Sequence, residues 1–377
     1  MAATRLGRRI GTAAKEELRS KKKAWRDSFM AAASRAVAER IPMADLIVHV
    51  RDARIPLSSQ CDILANNSRS SPKQIIALNK MDLAATSSLK AWMEYFRERN
   101  CISCGVNAHN KDSIKQLLSL IQRQVSELRG TDQCDNNYTA TVMLIGISNV
   151  GKSALTNALH QVGRISAAEK GKLKHATVSP EPGETKDIRS FKIGSHPNIY
   201  VLDTPAILSP KVPSVDVLSK LILTGAIGDC LVRRKEVAQY FLAVHNSSEQ
   251  YKKWAKLSTS DNDRLFLNGT TECFLTSSGL HMKQKNKIPT DHTQDCIVQD
   301  VRRTLFETIS SFEGDLRCED EMEALIARQF TALQEAFRIS IECEEEAHDK
   351  VAGKLLNLFR TGRLGHYILD HLPRNIQ

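Results

Sequence analysis

The run Gly146-Ile147-Ser148-Asn149-Val150-Gly151-Lys152-Ser153 lies between an apolar stretch, Thr141 to Ile145, and a helix-like stretch, Ala154 to His160. A G-x-x-x-x-G-K-[ST] loop placed between strand and helix is the feature that most narrows the fold of this chain. Its glycines let the backbone curl until successive N–H groups face one point, and the following helix adds the positive end of its dipole there. Such a cradle suits phosphate oxygens. Gly146, Asn149, Val150, Gly151 and Ala154 would line it, Lys152 would neutralise β- and γ-phosphates, and the Ser153 hydroxyl would be a magnesium ligand. By average residue frequencies the pattern arises by chance in about one chain of this length in a hundred, which weighs against an ordinary glycine turn.

The rest of the chain supplies the sheet that such a loop needs. Short apolar runs at Leu46 to Val50, Gln74 to Leu78, a weaker one near Cys101, Thr141 to Ile145, Ile188 to Ile193 and Ile199 to Leu202 read as strands. Between them, Leu89 to Arg99 and Ile114 to Leu128 read as helices, the second with apolar residues at helical spacing. Strands alternating with helices predict an α/β fold with a doubly wound, mostly parallel sheet, in which ligands sit beyond the carboxyl ends of the strands. A smaller, mainly helical domain is expected to follow. The expected boundaries are a basic N-terminal segment at 1–24, a nucleotide domain at 25–210 and a C-terminal domain at 211–377, with a polar insertion near 255–295.

Three further elements fall at strand ends. Asn79-Lys80-Met81-Asp82 fits N-K-x-D, in which the Asp82 carboxylate can accept from both the ring N1–H and the exocyclic amine of guanine. Lys80 would lay its stem across the base and Asn79 would brace the loop. N-K-x-D alone arises by chance in about one chain in twenty, so its weight comes from its position. Ser103-Cys104, one strand later, would present backbone N–H groups to the guanine carbonyl. Asp203-Thr204-Pro205-Ala206 ends the last strand: Asp203 would hold magnesium, and the N–H of Ala206 would meet the γ-phosphate. Thr185, in Pro182-Gly183-Glu184-Thr185, is a second candidate magnesium ligand, set against the reading of an ordinary turn threonine.

The order is unusual. Ordinary small GTPases present phosphate loop, threonine, D-x-x-G, N-K-x-D and then the S-A element; here the two base elements come first. That is a circular permutation, with residues 130–139 as the linker joining the usual domain ends.

With Asp52-Ala53-Arg54 ahead of it, this order resembles the DAR/YlqF-type family of ribosome-assembly GTPases, in particular its plant mitochondrial branch. The stretches that carry the resemblance are RDARIPLSS (51–59), LNKMDL (78–83), GISNVGKSALTNAL (146–159), GRISAAEKGKLKH (163–175), PGETKDI (182–188), LTGAI (223–227) and FRTGRLGHYILD (359–370). It covers about residues 25–245 and resumes near 295. The resemblance implies a G domain followed by a helical domain that contacts ribosomal RNA, GTP/GDP and Mg2+ as ligands, and a role in maturing the large ribosomal subunit. It places this branch in the mitochondrial matrix, with chloroplast or cytoplasm as alternatives. It also implies a potassium ion held partly by Asn149. Ile207 stands where many GTPases have a water-orienting glutamine, and some members carry a histidine where this chain has Phe29. With Ala206 in place of glycine as well, the expectation is slow hydrolysis activated by the ribosomal subunit. The alternative is a GTP-binding placeholder, or an RNA-binding scaffold with little turnover.

Composition sets the remaining limits. Net charge is +10, which favours polyanionic partners, RNA above all, with no pointer to DNA. Lys354, Arg360, Arg363, His366 and Arg374 give the tail a basic character that reads either as RNA-contacting or as a solvated face. Residues 1–15 carry four basic residues and no acid, the composition of a transit peptide, although Lys21 to Lys23 also suit a solvated or RNA-facing helix. The nine cysteines are odd in number and scattered, which excludes a secreted disulfide scaffold. No apolar run is long enough to cross a bilayer, and peripheral association with the inner membrane is a further expectation. Nothing demands an oligomer. A P-loop ATPase or kinase would share the phosphate loop but would have no use for Asp82.

Overall fold

A computed structural model describes residues 2–20, 28–61, 63, 72–129, 138–166, 188–195, 197–207, 213–228, 231–259, 296–340 and 344–373. Thr185, the 182–185 stretch, Arg374 and nearly all of the 255–295 insertion lie outside them. The helix at Ala2–Ser20 (α1) buries Ala2, Leu6, Ile10, Ala14 and Leu18 at intervals of four, so the basic N-terminal segment presents one apolar face. Gly11 lies so close to the Val215 carbonyl that a Cβ there would stand 2.1 Å from the oxygen. The helix at Ser28–Arg40 (α2) leads into the first strand.

Six strands form one sheet: β1 (Leu46–Asp52), β2 (Lys73–Asn79), β3 (Ile102–Gly105), β4 (Thr139–Ile145), β5 (Arg189–Ser195) and β6 (Asn198–Asp203), in the order β3-β2-β1-β4-β6-β5. All neighbours pair parallel except β5 and β6, which are joined too closely for a crossover and run antiparallel, with a register shift between Lys192 and Gly194. The expected doubly wound, mostly parallel sheet is therefore present. Every residue of β1 is buried, as a central strand covered on both faces requires.

The covering helices explain that burial. Helix α3 (Thr86–Arg97) turns Leu89, Trp92 and Phe96 onto Ala53, Ile76 and Leu78. Each such fully buried side chain stabilises by about 1.5–3 kcal/mol. On a second cluster, Val37, Ile41 and Ala44 pack with Ile47, Met143, Ile145 and Ile207. Helix α5 (Lys152–Ser166) packs on β5 and β6 and against α4 (Lys111–Arg129), and α6 (Val215–Leu223) is capped by Ser214 accepting from the Val217 N–H. Parallel register aligns the strand ends: Asp52 pairs with Asn79, and Asp203 pairs with Leu144.

The chain divides into two compact units, Gly7–Val237 with His366–Gln377, and Met1–Leu6 with Ala238–Gly365. The first holds the sheet and takes back the chain's end. There the Leu369 N–H donates to the Arg54 carbonyl at 2.8 Å, and the Asp370 carboxylate accepts from the Ser58 hydroxyl at 2.6 Å and pairs with Lys220 at 2.9 Å. The second unit is helical, built on α7 (Arg234–Asn246), α8 (Ala255–Thr259), α9 (Cys296–Ser310), α10 (Glu319–Ala336) and α11 (Glu344–Arg360). The expected mainly helical character of the C-terminal domain is seen in α10 and α11, which together cover most of 319–360. The first ends where Arg338 takes a φ of 51° and the Ile339 N–H turns back to the Gln334 carbonyl, the geometry of a left-handed cap.

Candidate nucleotide-binding site

The phosphate loop leaves β4 at Gly146 and enters α5 at Lys152. Asn149 and Gly151 both sit at positive φ, 54° and 93°, which curls the loop. At Gly151 only glycine fits, because a Cβ would come within 2.4 Å of the Asn79 side-chain nitrogen. Lys152 is buried, and its ammonium donates to the carbonyls of Gly146 at 3.0 Å and Ile147 at 2.8 Å. Burial pulls its pKa down to about 8 although Asp203 works the other way. This ammonium is short of negative charge.

Asp203 has the converse condition. Its carboxylate is buried, Oδ2 accepts from the Ser153 hydroxyl at 2.8 Å, and burial raises its pKa despite Ser153 and Lys152. A buried carboxylate beside a hydroxyl oxygen is a hard oxygen donor set of the kind that magnesium takes. The phosphate loop and the end of β6 thus bring together an ammonium that a polyphosphate would satisfy and a carboxylate that a divalent cation would satisfy.

The base motif joins the same loop. Asn79 ends β2, and its amide nitrogen donates to the Val150 carbonyl at 2.8 Å. Its Oδ1 is buried with no hydrogen-bond partner among the described residues. Lys80, at a φ of 60°, donates from Nζ to the Asn149 carbonyl at 2.5 Å. Met81 and Asp82 open a single 3-10 turn, where Asp82 is exposed and available to a ligand rather than buried. Ser103 and Cys104 lie inside β3, paired with Ile76 and Ala77, so the end of that strand falls at Gly105 and Val106. Burial pushes the Cys104 thiol up to about 12, leaving it protonated and unreactive. Val106 then binds the base turn, accepting from the Met81 N–H at 3.1 Å.

On the switch side, the Thr204 hydroxyl donates to the Leu144 carbonyl at 2.6 Å and Ala206 is half-buried. Ile207 points away from the site into the core with Val37, Ile41 and Met143, while its N–H donates to the Gly146 carbonyl at 3.2 Å. Asn149 spends its side-chain N–H on the Gly225 carbonyl at 2.8 Å.

A family model described as a 50S ribosome-binding GTPase matches residues 141–263. Over 368 residues, 98% of this chain and 96% of the relative, the sequence is 52% identical to DAR GTPase 2, mitochondrial, of Arabidopsis thaliana. The chain belongs to the DAR family of GTPases. It is also 39% identical to Short integuments 2, mitochondrial, of Arabidopsis thaliana, over 93% of this chain and 89% of that one. Ribosome biogenesis GTPase A of Bacillus pumilus is 30% identical over 75% of this chain and 95% of its own. For a DAR GTPase the informative residues missed by motif reading are Asp52 and Arg54. They entered as a family signature, yet Asp52 pairs with Lys80 of the base motif at 3.1 Å. The parallel register that sets Asp52 beside Asn79 is the signal that could have found that contact.

Proposed function

We propose that this chain is a slow guanine-nucleotide switch in maturation of the mitochondrial large ribosomal subunit. It binds GTP, hydrolyses it when the subunit or its RNA engages, and releases its partner afterwards. The observation that carries the reading is the pair of hydrogen bonds from Asn79 and Lys80 into the backbone of the phosphate loop, which makes base and phosphate motifs one site. The names of the relatives support the ribosomal and mitochondrial setting.

In this reading Lys152 takes the β- and γ-phosphates, and Asp82 reads the guanine N1–H and amine. The backbone around Ser103, Cys104 and Gly105 faces the base carbonyl, and the Ala206 N–H senses the γ-phosphate. Ser153, Asp203 and Thr185 hold Mg2+, which when bound offsets the charge of the phosphates. Asn149 contributes to a potassium site. The motif order makes the domain a circularly permuted one, so that the chain leaves for its helical portion soon after the Asp203 switch. Arg360 and Arg363 contribute to contact with ribosomal RNA, with peripheral inner-membrane association left to the same basic surface. Ile207 is buried in the core, so no side chain at that position orients the attacking water, and intrinsic turnover is slow.

The same burial also suits a placeholder that binds GTP without turnover, and one experiment separates the two. GTP hydrolysis by the purified protein is measured with and without large ribosomal subunits, in potassium and in sodium. Stimulation by subunits, greater in potassium, is expected. Tight binding without stimulated turnover selects the placeholder, and failure to bind GTP overturns both. Asp82→Asn is expected to weaken GTP and improve xanthosine triphosphate, which an ATPase would not show.

A further inference from the structure

Buried at the end of β1, the Asp52 carboxylate collects four donors. Oδ1 accepts from the backbone N–H and Nε of Arg54, both at 3.0 Å; Oδ2 accepts from Arg54 Nη2 at 2.7 Å and pairs with Lys80 Nζ at 3.1 Å. Burial would raise this carboxyl's pKa, but the two cations outweigh it and hold the group well below the usual carboxylate range. Arg54 Nη2 also donates to the Thr224 carbonyl at 3.2 Å. Lys80 reaches the Asn149 carbonyl, and Asn149 reaches the Gly225 carbonyl. The contacts close a ring: Asp52 to Lys80, to Asn149, to Gly225, along the backbone to Thr224, to Arg54 and back to Asp52.

We propose that Asp52 and Arg54 are positioning residues that join the base-site lysine and the phosphate loop to the end of α6, so that the Thr224–Ile227 turn responds to nucleotide. This rests on the nucleotide reading of the site given above. Three physical points favour it over a local brace for the end of β1. Thr224 and Gly225 stand at the carboxyl end of α6, where carbonyls lack intrahelical partners and the helix dipole is negative, so Arg54 and Asn149 meet a real electrostatic need. Lys80 and Asn149 both hold left-handed backbone, a strained state that persists when its surroundings over-determine it. A brace for β1 also has no need to reach two separate nucleotide motifs. Asn149 is common to the phosphate cradle and to the Gly225 contact, so rearrangement around the phosphates changes what holds the end of α6.

The test is amide hydrogen exchange at Gly225, Ala226 and Ile227, whose N–H groups donate to the carbonyls of Ile222 and Leu221. The full-length protein is compared free, with GDP and with a non-hydrolysable GTP analogue, alongside Asp52→Asn and Arg54→Lys. Wild type is expected to change exchange at these amides about fivefold between free and bound states. Arg54→Lys keeps a cation beside Asp52 but loses the planar fork that reaches Thr224, so it binds GDP within about threefold of wild type while the exchange response disappears. Asp52→Asn releases Lys80 as well, so GDP also dissociates about tenfold faster. If Asp52→Asn fails to fold by circular dichroism, Arg54→Lys decides. Wild type that binds GDP without a response at these amides overturns the inference alone, as does Arg54→Lys that keeps the response. Wild type that binds no guanine nucleotide overturns the site reading and the inference together.

Discussion

In the sheet unit the buried polar side chains include ionisable groups of both signs: Asp52, Arg54, Lys152 and Asp203 are all buried. In the helical unit the comparable positions hold His245, Asn246 and Gln329, equally buried but neutral. Asn246 and Gln329 exchange reciprocal amide hydrogen bonds at 3.0 and 2.9 Å, and His245 stacks between Phe241 and Trp254. Burying an ion costs several kcal/mol, so a fold that needs only stability is better served by neutral or apolar groups. The helical unit follows that rule. The sheet unit departs from it at Lys152 and Asp203, where burial outweighs the pull that each exerts on the other, so that both would gain from a charged ligand. The difference separates polar burial that specifies packing from polar burial that awaits a partner.

The largest effect that can break this contrast belongs to Lys152. Lys152→Ala is expected to weaken GTP by about 100-fold or more, as loss of a charge-assisted contact of roughly 3 kcal/mol implies, with the thermal midpoint unchanged or raised. Calorimetric titration and a melt measure the two together. In the helical unit the pattern inverts. Asn246→Ala strands the Gln329 amide and should cost about 1–3 kcal/mol of stability, while GTP affinity stays at the wild-type value. Replacing both by leucine should recover most of that loss. If Asn246→Ala weakens GTP as Lys152→Ala does, the division of labour between the units is wrong.

Next in size is the pH dependence of binding. In the free protein Lys152 titrates near 8, below its usual 10.5, while a bound polyphosphate would keep it charged. Affinity is therefore fully present below pH 8 and falls as pH rises through it, by about tenfold at pH 9 relative to pH 7. Lys152→Arg, which stays cationic throughout, is the control: ionisation of the base affects both proteins alike, so only the lysine's share is lost from the slope.

Much of this was legible before any coordinates. A phosphate loop between strand and helix, and motifs at the ends of apolar runs, reflect local rules of backbone curl and strand burial, so Gly146 to Ser153 and Asn79 to Asp82 could be read directly. Ser103-Cys104 was harder: the strand runs past the weak apolar pattern near Cys101, through Ser103 and Cys104 to Gly105. Asp52 was visible as a residue but not as a partner of Lys80, because that contact depends on which strands become neighbours. The core placement of Ile207 and the return of Asp370 to Ser58 are long-range in the same sense. The helix break at Arg338 carries no glycine or proline to announce it, since an arginine there adopts left-handed backbone only under tertiary constraint.

The smallest effect tests the neutral half of the comparison. Burial pulls His245 down to about 3 from its usual 6.5, so the folded protein keeps it uncharged while the unfolded chain protonates it. Between those values the unfolded state binds more protons, so the contribution of His245 is complete above pH 6.5 and is lost as pH falls toward 3. His245→Phe keeps an aromatic ring between Phe241 and Trp254 and removes the titration. At pH 7 it should change stability by no more than about 1.5 kcal/mol, the scale of one hydrogen bond. At pH 5 the variant should have lost less stability than wild type, read from urea midpoints at the two pH values. An identical acid loss in both proteins would mean that His245 is protonated without cost in the fold, and that the helical unit too tolerates a buried charge.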